Sequence, residues 1–229
     1  MNYLIAAHHD WNENNFLKLK KKYKDSSRIN LFYIQSKKEL TQKLINEIKP
    51  RYIFFPHWSY IVPEKVLRDY ECVCFHMTDL PYGRGGSPLQ NLIIRNHTTT
   101  KISALKMTKD LDAGPIYFKR QLKLNGSAQE IYKRASNITF QMIDRMIRKE
   151  IEPKEQIGSA TNFKRRKEYE SKINGINSIH EYYNFIRMLD APSYPKSFFE
   201  YQGFIYEFSN ANLKNDKLTA NVTIKKIES

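Results

Sequence analysis

RYIFFPHWSYIVPEKVLRDYECVCFH, residues 51 to 76, carries two short apolar runs, RYIFF at 51–55 and CVCFH at 72–76, with room between them for one small helix around VPEKVL. Apolar runs without alternation belong to strands buried on both faces, the signature of a parallel sheet covered by helices. Toward the N-terminus the pattern repeats, with YLIAA at 3–7 and RINLFYI at 28–34 as strands. Helix formers follow the first strand up to about Lys24. A second helix is expected to be capped by Ser36, to place Leu40, Leu44, Ile45 and Ile48 on one face, and to stop before Pro50. The order β-α-β-α-β-α-β predicts an α/β, Rossmann-like core with a mostly parallel sheet, whose ligands gather at the carboxyl ends of the strands.

On the C-terminal side of this stretch the character changes to HMTDLPYGRGGSPLQNLI at 76–93, a glycine- and proline-rich loop that brings backbone close to something. Two further strands are expected at 102–107 and 115–119, joined by TKDLDAG, and Ser127 is placed to cap a long helix reaching about Lys149. The organisation expected is a catalytic domain at 1–152 and a basic linker at 153–177. The linker's densest charge run is Lys164-Arg165-Arg166-Lys167, read as a solvated tether. A small α+β extension follows at 178–229, with a helix over 178–189 and a β-hairpin element at 197–208 and 218–225.

The net charge of +14 admits nucleic acid, an anionic surface or a polyanionic small molecule, and the scatter of Lys18, Lys20, Lys21, Lys22, Lys24, Lys37 and Lys38 also fits a solvated surface. No apolar run is long enough for a bilayer span, and charge arrives before a signal-peptide core could form, so a cytoplasmic protein is expected. The two cysteines, Cys72 and Cys74, are one residue apart in a strand, which disfavours a disulfide and fits a reducing compartment.

His76, Thr78, Asp79 and Arg84 lie at or just after the end of the fourth strand, where a neutral imidazole can exchange a proton with an amine. A histidine at a strand end is otherwise a satisfied structural residue. Asp112 sits in LDAGP, a tight turn that either directs the carboxylate into the same cleft or only bonds its own backbone. His8, His9, Asp10, His57 and His97 lack metal-ligand spacing, adjacent histidines at a strand end commonly point apart, and no metal is expected. GRGGS matches neither phosphate-loop pattern and is read as a substrate loop.

CFHMTDLPYGRGGSP followed by KMTKDLDAGPIYFK resembles the N10-formyltetrahydrofolate-dependent formyltransferases, with their Asn-x-His-x-Ser-x-x-Pro-x-x-Arg-Gly pattern and later Leu-Asp-x-Gly turn. The resemblance implies catalytic roles for His76 and Asp112, with the family's asparagine replaced by Cys74, which offers no amide donor. It implies a substrate loop formed by Thr78, Pro81, Tyr82, Arg84, Gly85 and Ser87. The segment Phe55, Pro56, His57, Trp58, Ser59, Tyr60 and Ile61, together with Asp110 and Leu111, is similar to the family's folate pocket, so N10-formyltetrahydrofolate is the implied co-substrate.

FKRRKEYESKI and IRMLDAPSYPKSFF resemble the ends of enzymes acting on nucleotide-linked amino sugars. The tRNA enzymes of the family add a β-barrel domain of about a hundred residues, an ordinary domain size. Less chain than that remains here after the basic stretch. A dTDP-, UDP- or GDP-linked amino sugar of a glycan pathway is therefore the expected acceptor, with methionyl-tRNA the alternative. A non-catalytic folate or sugar-nucleotide binder is the reading from another class. The terminal strands leave a homodimer open.

Overall fold

The computed structural model describes residues 1–192 and 194–227. Ser193 of the IRMLDAPSYPKSFF segment, and Glu228 and Ser229 of the C-terminal element, lie outside the described residues. In chain order the elements are β1 (Asn2–Ala6), α1 (Asp10–Lys22), β2 (Asn30–Ile34), α2 (Gln42–Ile48), β3 (Tyr52–Pro56), α3 (Glu64–Asp69), β4 (Cys72–His76), β5 (Arg84–Gly85) and α4 (Pro88–Ile94). They continue with β6 (Thr99–Lys106), β7 (Ile116–Lys123), α5 (Ala128–Arg148), β8 (Asn162–Phe163), α6 (Ile179–Leu189), β9 (Ser197–Tyr201), β10 (Phe204–Lys214) and β11 (Lys217–Lys226). The chain divides into two compact units, one of residues 1–84, 101–122 and 133–162, the other of residues 85–100, 123–132 and 163–229.

The first unit is built on a six-stranded sheet in the order β2-β1-β3-β4-β6-β7. The pairs β1–β2, β1–β3 and β3–β4 are parallel, and β4–β6 is antiparallel. The mostly parallel α/β core read from the apolar runs is therefore what forms. Its core gathers Leu4, Ile34, Ile45, Ile48, Ile53, Phe55, Val62 and Val66 around the central strands. Because β1 leads to β2 on one side and pairs with β3 on the other, the carboxyl ends of β1 and β3 diverge at the switch point where such sheets hold ligands.

Helix α2 departs from expectation. Ser36 does not cap it; Thr41 does, standing in extended conformation with its hydroxyl accepting from the Leu44 amide. Ser36 instead closes a single turn, in which Glu39 accepts from the backbone amides of Gln35 and Ser36. A Ser-x-x-Glu pair serves one turn as readily as a helix, so the sequence signal was sound locally and misplaced the start. At Ser127 the same pairing does cap a helix: its amide donates to Glu130 and its hydroxyl accepts from the Glu130 amide at the start of α5.

Helix α1 buries two asparagines, and their amides are matched. Asn15 donates to the Ser136 hydroxyl at 2.9 Å, Ser136 donates to Asn12 Oδ1 at 2.7 Å, and Asn12 donates to the carbonyl of His8 at 2.7 Å. This chain of bonds ties α1 to α5 and fixes the backbone leaving β1.

The second unit contains α4, α6 and a three-stranded antiparallel sheet in the order β11-β10-β9. Both hairpins are two-residue turns at positive φ, Gln202-Gly203 at 46° and 78° and Asn215-Asp216 at 49° and 53°, the geometry whose twist matches that of paired strands. Arg187 on α6 is buried and donates to the carbonyls of Leu124 and Gly126. Among the described residues no helix is long and apolar enough to cross a membrane.

Replacing Ser136 by Ala leaves Asn12 Oδ1 without its donor in a fully buried setting. The expected loss is about 1–3 kcal/mol of stability by denaturant titration; a loss within error of zero would show that the asparagine chain carries no such load.

Candidate active site

His76 is the last residue of β4, its side chain 7% exposed, paired in register with Ser103 of β6. The chain then folds back over β6 through Ser103, which donates to the Thr78 carbonyl at 2.7 Å and accepts from the Leu80 amide at 3.3 Å. That fold brings the Gly83 carbonyl to His76 Nε2 at 2.8 Å and to the Thr78 hydroxyl at 3.2 Å. A carbonyl oxygen only accepts, so Nε2 carries a proton, and Nδ1 is the nitrogen that faces Asp112 Oδ2 at 3.5 Å. The histidine and the aspartate read from separate motifs meet, with the Asp112 side chain 9% exposed.

Asp112 stands in the left-handed region at φ 54°, in the turn before Gly114. A Cβ at Gly114 would lie 1.9 Å from the Lys106 carbonyl, so only glycine lets this turn close against β6. Gln156 completes it: its amide nitrogen donates to the carbonyls of Asp112 and Gly114, each at 2.8 Å, while its Oε1 accepts from Arg84 Nε at 3.2 Å and Nη2 at 2.8 Å.

Cys74 lies on the same face of β4 as His76, two residues back. Burial, reinforced by the nearby Asp112 charge, pushes its thiol far above the usual range, so it remains protonated. It supplies no thiolate nucleophile and only a weak donor. Asp79 is held as a carboxylate below its usual range: burial opposes this, and the hydrogen-bonded ammoniums of Lys119 and Lys101 outweigh it.

The residues expected to face folate lie at and beyond the carboxyl end of β3. Phe55 and Pro56 are buried in the strand, His57 takes φ 52°, and Ser59, Tyr60 and Ile61 are exposed. Trp58 packs on Phe55 and Tyr60 at ring-centroid distances of 5.8 and 5.2 Å. Asp110 and Leu111 are exposed in the turn leading to Asp112. His8 and His9 join them: their rings lie 4.3 Å apart, His9 stacks on Trp11 at 4.5 Å, and His57 lies 5.0 Å from His9. The expectation that adjacent histidines point apart fails here, because His9 turns at φ 75° into α1 and leaves strand geometry. Among the described residues no group of three or more metal-ligating side chains is placed to hold an ion. His8 Nδ1 and Trp58 Nε1 are buried without a hydrogen-bond partner.

Of the expected substrate loop, Thr78, Pro81, Tyr82 and Arg84 belong to the first unit. Gly85 and Ser87 belong to the second. A Cβ on Gly85 would meet the Phe163 carbonyl at 2.5 Å, and the Ser87 hydroxyl accepts from the Arg166 amide at 3.1 Å. Sequence reasoning missed Gly83, Ser103, Gln156 and Thr161. The last two sit in a polar, basic stretch with no periodicity to separate inward from outward side chains.

The structure of a methionyl-tRNA formyltransferase from Clostridium thermocellum is 47% identical, covers 99% of both chains and superposes with a TM-score of 0.95. At that similarity the chain belongs to the formyltransferase family. The family model for the methionyl-tRNA formyltransferase C-terminal domain matches residues 168–225. A methionyl-tRNA formyltransferase from Thermodesulfovibrio yellowstonii is 26% identical over 153 residues, 63% of this chain and 50% of that protein, so the chain spans about half the length of such relatives. HypX from Aquifex aeolicus in complex with tetrahydrofolic acid shares the fold, with TM-score 0.73, 13% identity, and coverage of 93% of this chain and 38% of that one.

These findings overturn the nucleotide-linked amino sugar as acceptor, and glycan biosynthesis with it. The length argument fails because the Clostridium thermocellum chain, matched over 99% of its length, is a methionyl-tRNA formyltransferase of this size. Of the two C-terminal segments that resemble sugar-modifying enzymes, IRMLDAPSYPKSFF and all of FKRRKEYESKI from Glu168 onward fall within the match to the methionyl-tRNA formyltransferase C-terminal domain.

Burial, and then repulsion from the neighbouring histidines, lowers His57 to about 3; burial and His8 lower His9 to about 4 despite Asp10. Both lie below the unfolded value near 6.5, so the unfolded chain binds more protons between about pH 6.5 and 3, and stability is full above that window and lost as pH falls through it. The melting temperature is expected to fall from pH 7 to pH 5. In His57→Asn, which tolerates positive φ, the slope should shrink; an unchanged slope would remove His57 as the cause.

Proposed function

We propose that this chain transfers the formyl group of N10-formyltetrahydrofolate to the amino group of methionyl-tRNA. The observation that carries the reading is the His76–Asp112 pair at the end of β4, in a chain 47% identical along its whole length to an enzyme of that name. The amine attacks the formyl carbon, a new C–N bond forms and the C–N10 bond breaks. The proton lost by the amine passes to N10, leaving tetrahydrofolate and formylated methionyl-tRNA.

The pair is suited to that proton transfer. With Nε2–H donating to Gly83, Nδ1 is the nitrogen that faces the Asp112 carboxylate, and the pair is placed to take the proton from the attacking amine and return it to the leaving N10. Cys74 offers only a weak thiol donor where the family has an amide. Trp58, Tyr60, His57 and His8 would hold the folate ring, their neutral imidazoles and aromatic faces suiting a flat heterocycle and the two buried ring nitrogens still lacking partners. The net charge of +14 supports a polyanionic acceptor. We place the reaction in the cytoplasm, which suits the two unpaired thiols.

Incubation with methionyl-tRNA and N10-formyltetrahydrofolate should yield formyl-methionyl-tRNA, read by mass spectrometry of the released aminoacyl-adenosine. His76→Asn is expected to slow it by ~10²–10⁴-fold. Absence of product from the unaltered chain would sink the reading.

A further inference from the structure

The segment after α5 has the composition of a solvated tether, yet within residues 153–162 two side chains close onto the two catalytic turns. Gln156 spans the Asp112 turn and Arg84, as described above. Thr161 clasps the loop after β4: its hydroxyl accepts from the Gly83 amide at 2.7 Å, its carbonyl from the Arg84 amide at 2.9 Å, and its own amide donates to Pro81 at 3.3 Å. The segment is itself anchored by a two-way backbone pairing of Lys154 with Ile116 on β7, at 2.7 and 2.9 Å.

We propose that Gln156 and Thr161 are positioning residues for formyl transfer, Gln156 fixing the turn that presents Asp112 and Thr161 fixing the Gly83 peptide that orients His76. The inference rests on the assignment of His76 and Asp112 as the reacting pair. Gln156 reaches Asp112 through its backbone carbonyl, and Thr161 reaches His76 through the Gly83 peptide.

Gln156 acts through backbone. Asp112 occupies a left-handed conformation that aspartate tolerates without preferring, and the turn's two inward carbonyls need donors in a half-buried place. One amide group supplies both. Its orientation is settled by the network, because carbonyls demand the NH₂ and the Arg84 guanidinium demands the oxygen. A hydrophobic residue of the same length would free both carbonyls and Arg84 together.

Thr161 acts through one peptide. The Gly83 amide points at the Thr161 hydroxyl while the Gly83 carbonyl points at His76 Nε2, so holding one end of the loop fixes the other. That carbonyl determines which ring nitrogen is protonated and therefore which one meets Asp112. Replacement by valine removes only the hydroxyl; the two backbone bonds of residue 161 remain available.

The test compares the full chain with Gln156→Leu, Thr161→Val and Thr161→Ser in steady-state formylation of methionyl-tRNA, alongside ¹⁵N spectra of the His76 ring and melting temperatures. Misplaced reacting groups cost rate more than binding, so Gln156→Leu and Thr161→Val are expected to lose ~10–100-fold in kcat, with KM for the formyl donor within about twofold. Thr161→Ser, which keeps the acceptor oxygen, should recover kcat to within about threefold of the parent. The ring spectrum should report an Nε2-protonated imidazole in the parent and in Thr161→Ser, and a tautomer mixture in Thr161→Val. Unchanged kcat in Gln156→Leu and Thr161→Val, a rise confined to KM, or a loss tracking the unfolded fraction would overturn the proposal. If the parent itself gives no formyl-methionyl-tRNA, the functional reading fails and the ring spectrum still decides the Thr161 clasp: an unchanged tautomer in Thr161→Val overturns it.

Discussion

The carbonyl oxygen of Gly83 accepts from His76 Nε2 and from the Thr78 hydroxyl, and the arrangement of the site follows from that double acceptance. An imidazole at the end of a buried strand can rotate and can carry its proton on either nitrogen. A buried carbonyl opposite one nitrogen removes both freedoms, because leaving it unmatched would cost about 1–3 kcal/mol. Everything else in the loop serves to put that carbonyl there: Ser103 fastens the Thr78 and Leu80 peptides to β6, and Thr161 holds the Gly83 amide.

The sheet's task is to bring two distant turns to one place. β4 ends in His76, and its antiparallel neighbour β6 leads out through Met107 to the Asp112 turn. β6 runs back along β4 from the His76 end to the Cys72 end, and the turn that follows carries Asp112 to within 3.5 Å of a histidine thirty-six positions earlier. Gly114 admits the Lys106 carbonyl to the turn, and Gln156 supplies the donors that the turn cannot supply itself. Electrostatics then assign states: Cys74 stays a thiol beside Asp112, and His57 and His9 stay neutral in their aromatic surroundings.

The short stretch of chain beyond the basic segment does not speak for a nucleotide-linked amino sugar, because a chain named as a methionyl-tRNA formyltransferase matches this one over 99% of both lengths. The net charge of +14 does not choose between the two acceptors either, since a line of phosphates and a single diphosphate both reward positive charge.

The sequence alone determined the parallel core, because apolar runs at 3–7, 28–34, 51–55 and 72–76 have no other good burial. The pairing of a strand-end His76 with Asp112 was implied by the resemblance of two spaced motifs to the formyltransferases, while the LDAGP turn by itself left the carboxylate's direction open. Only the tertiary structure decided the rest. Whether Ser36 or Thr41 starts α2 depended on which turn the core admits. The inward aim of Gln156 and Thr161 depended on backbone donors and acceptors that no side-chain pattern records. The convergence of His8, His9 and His57 depended on positive φ at His9 and His57, a choice made by packing at the switch point of the sheet and invisible in residue type.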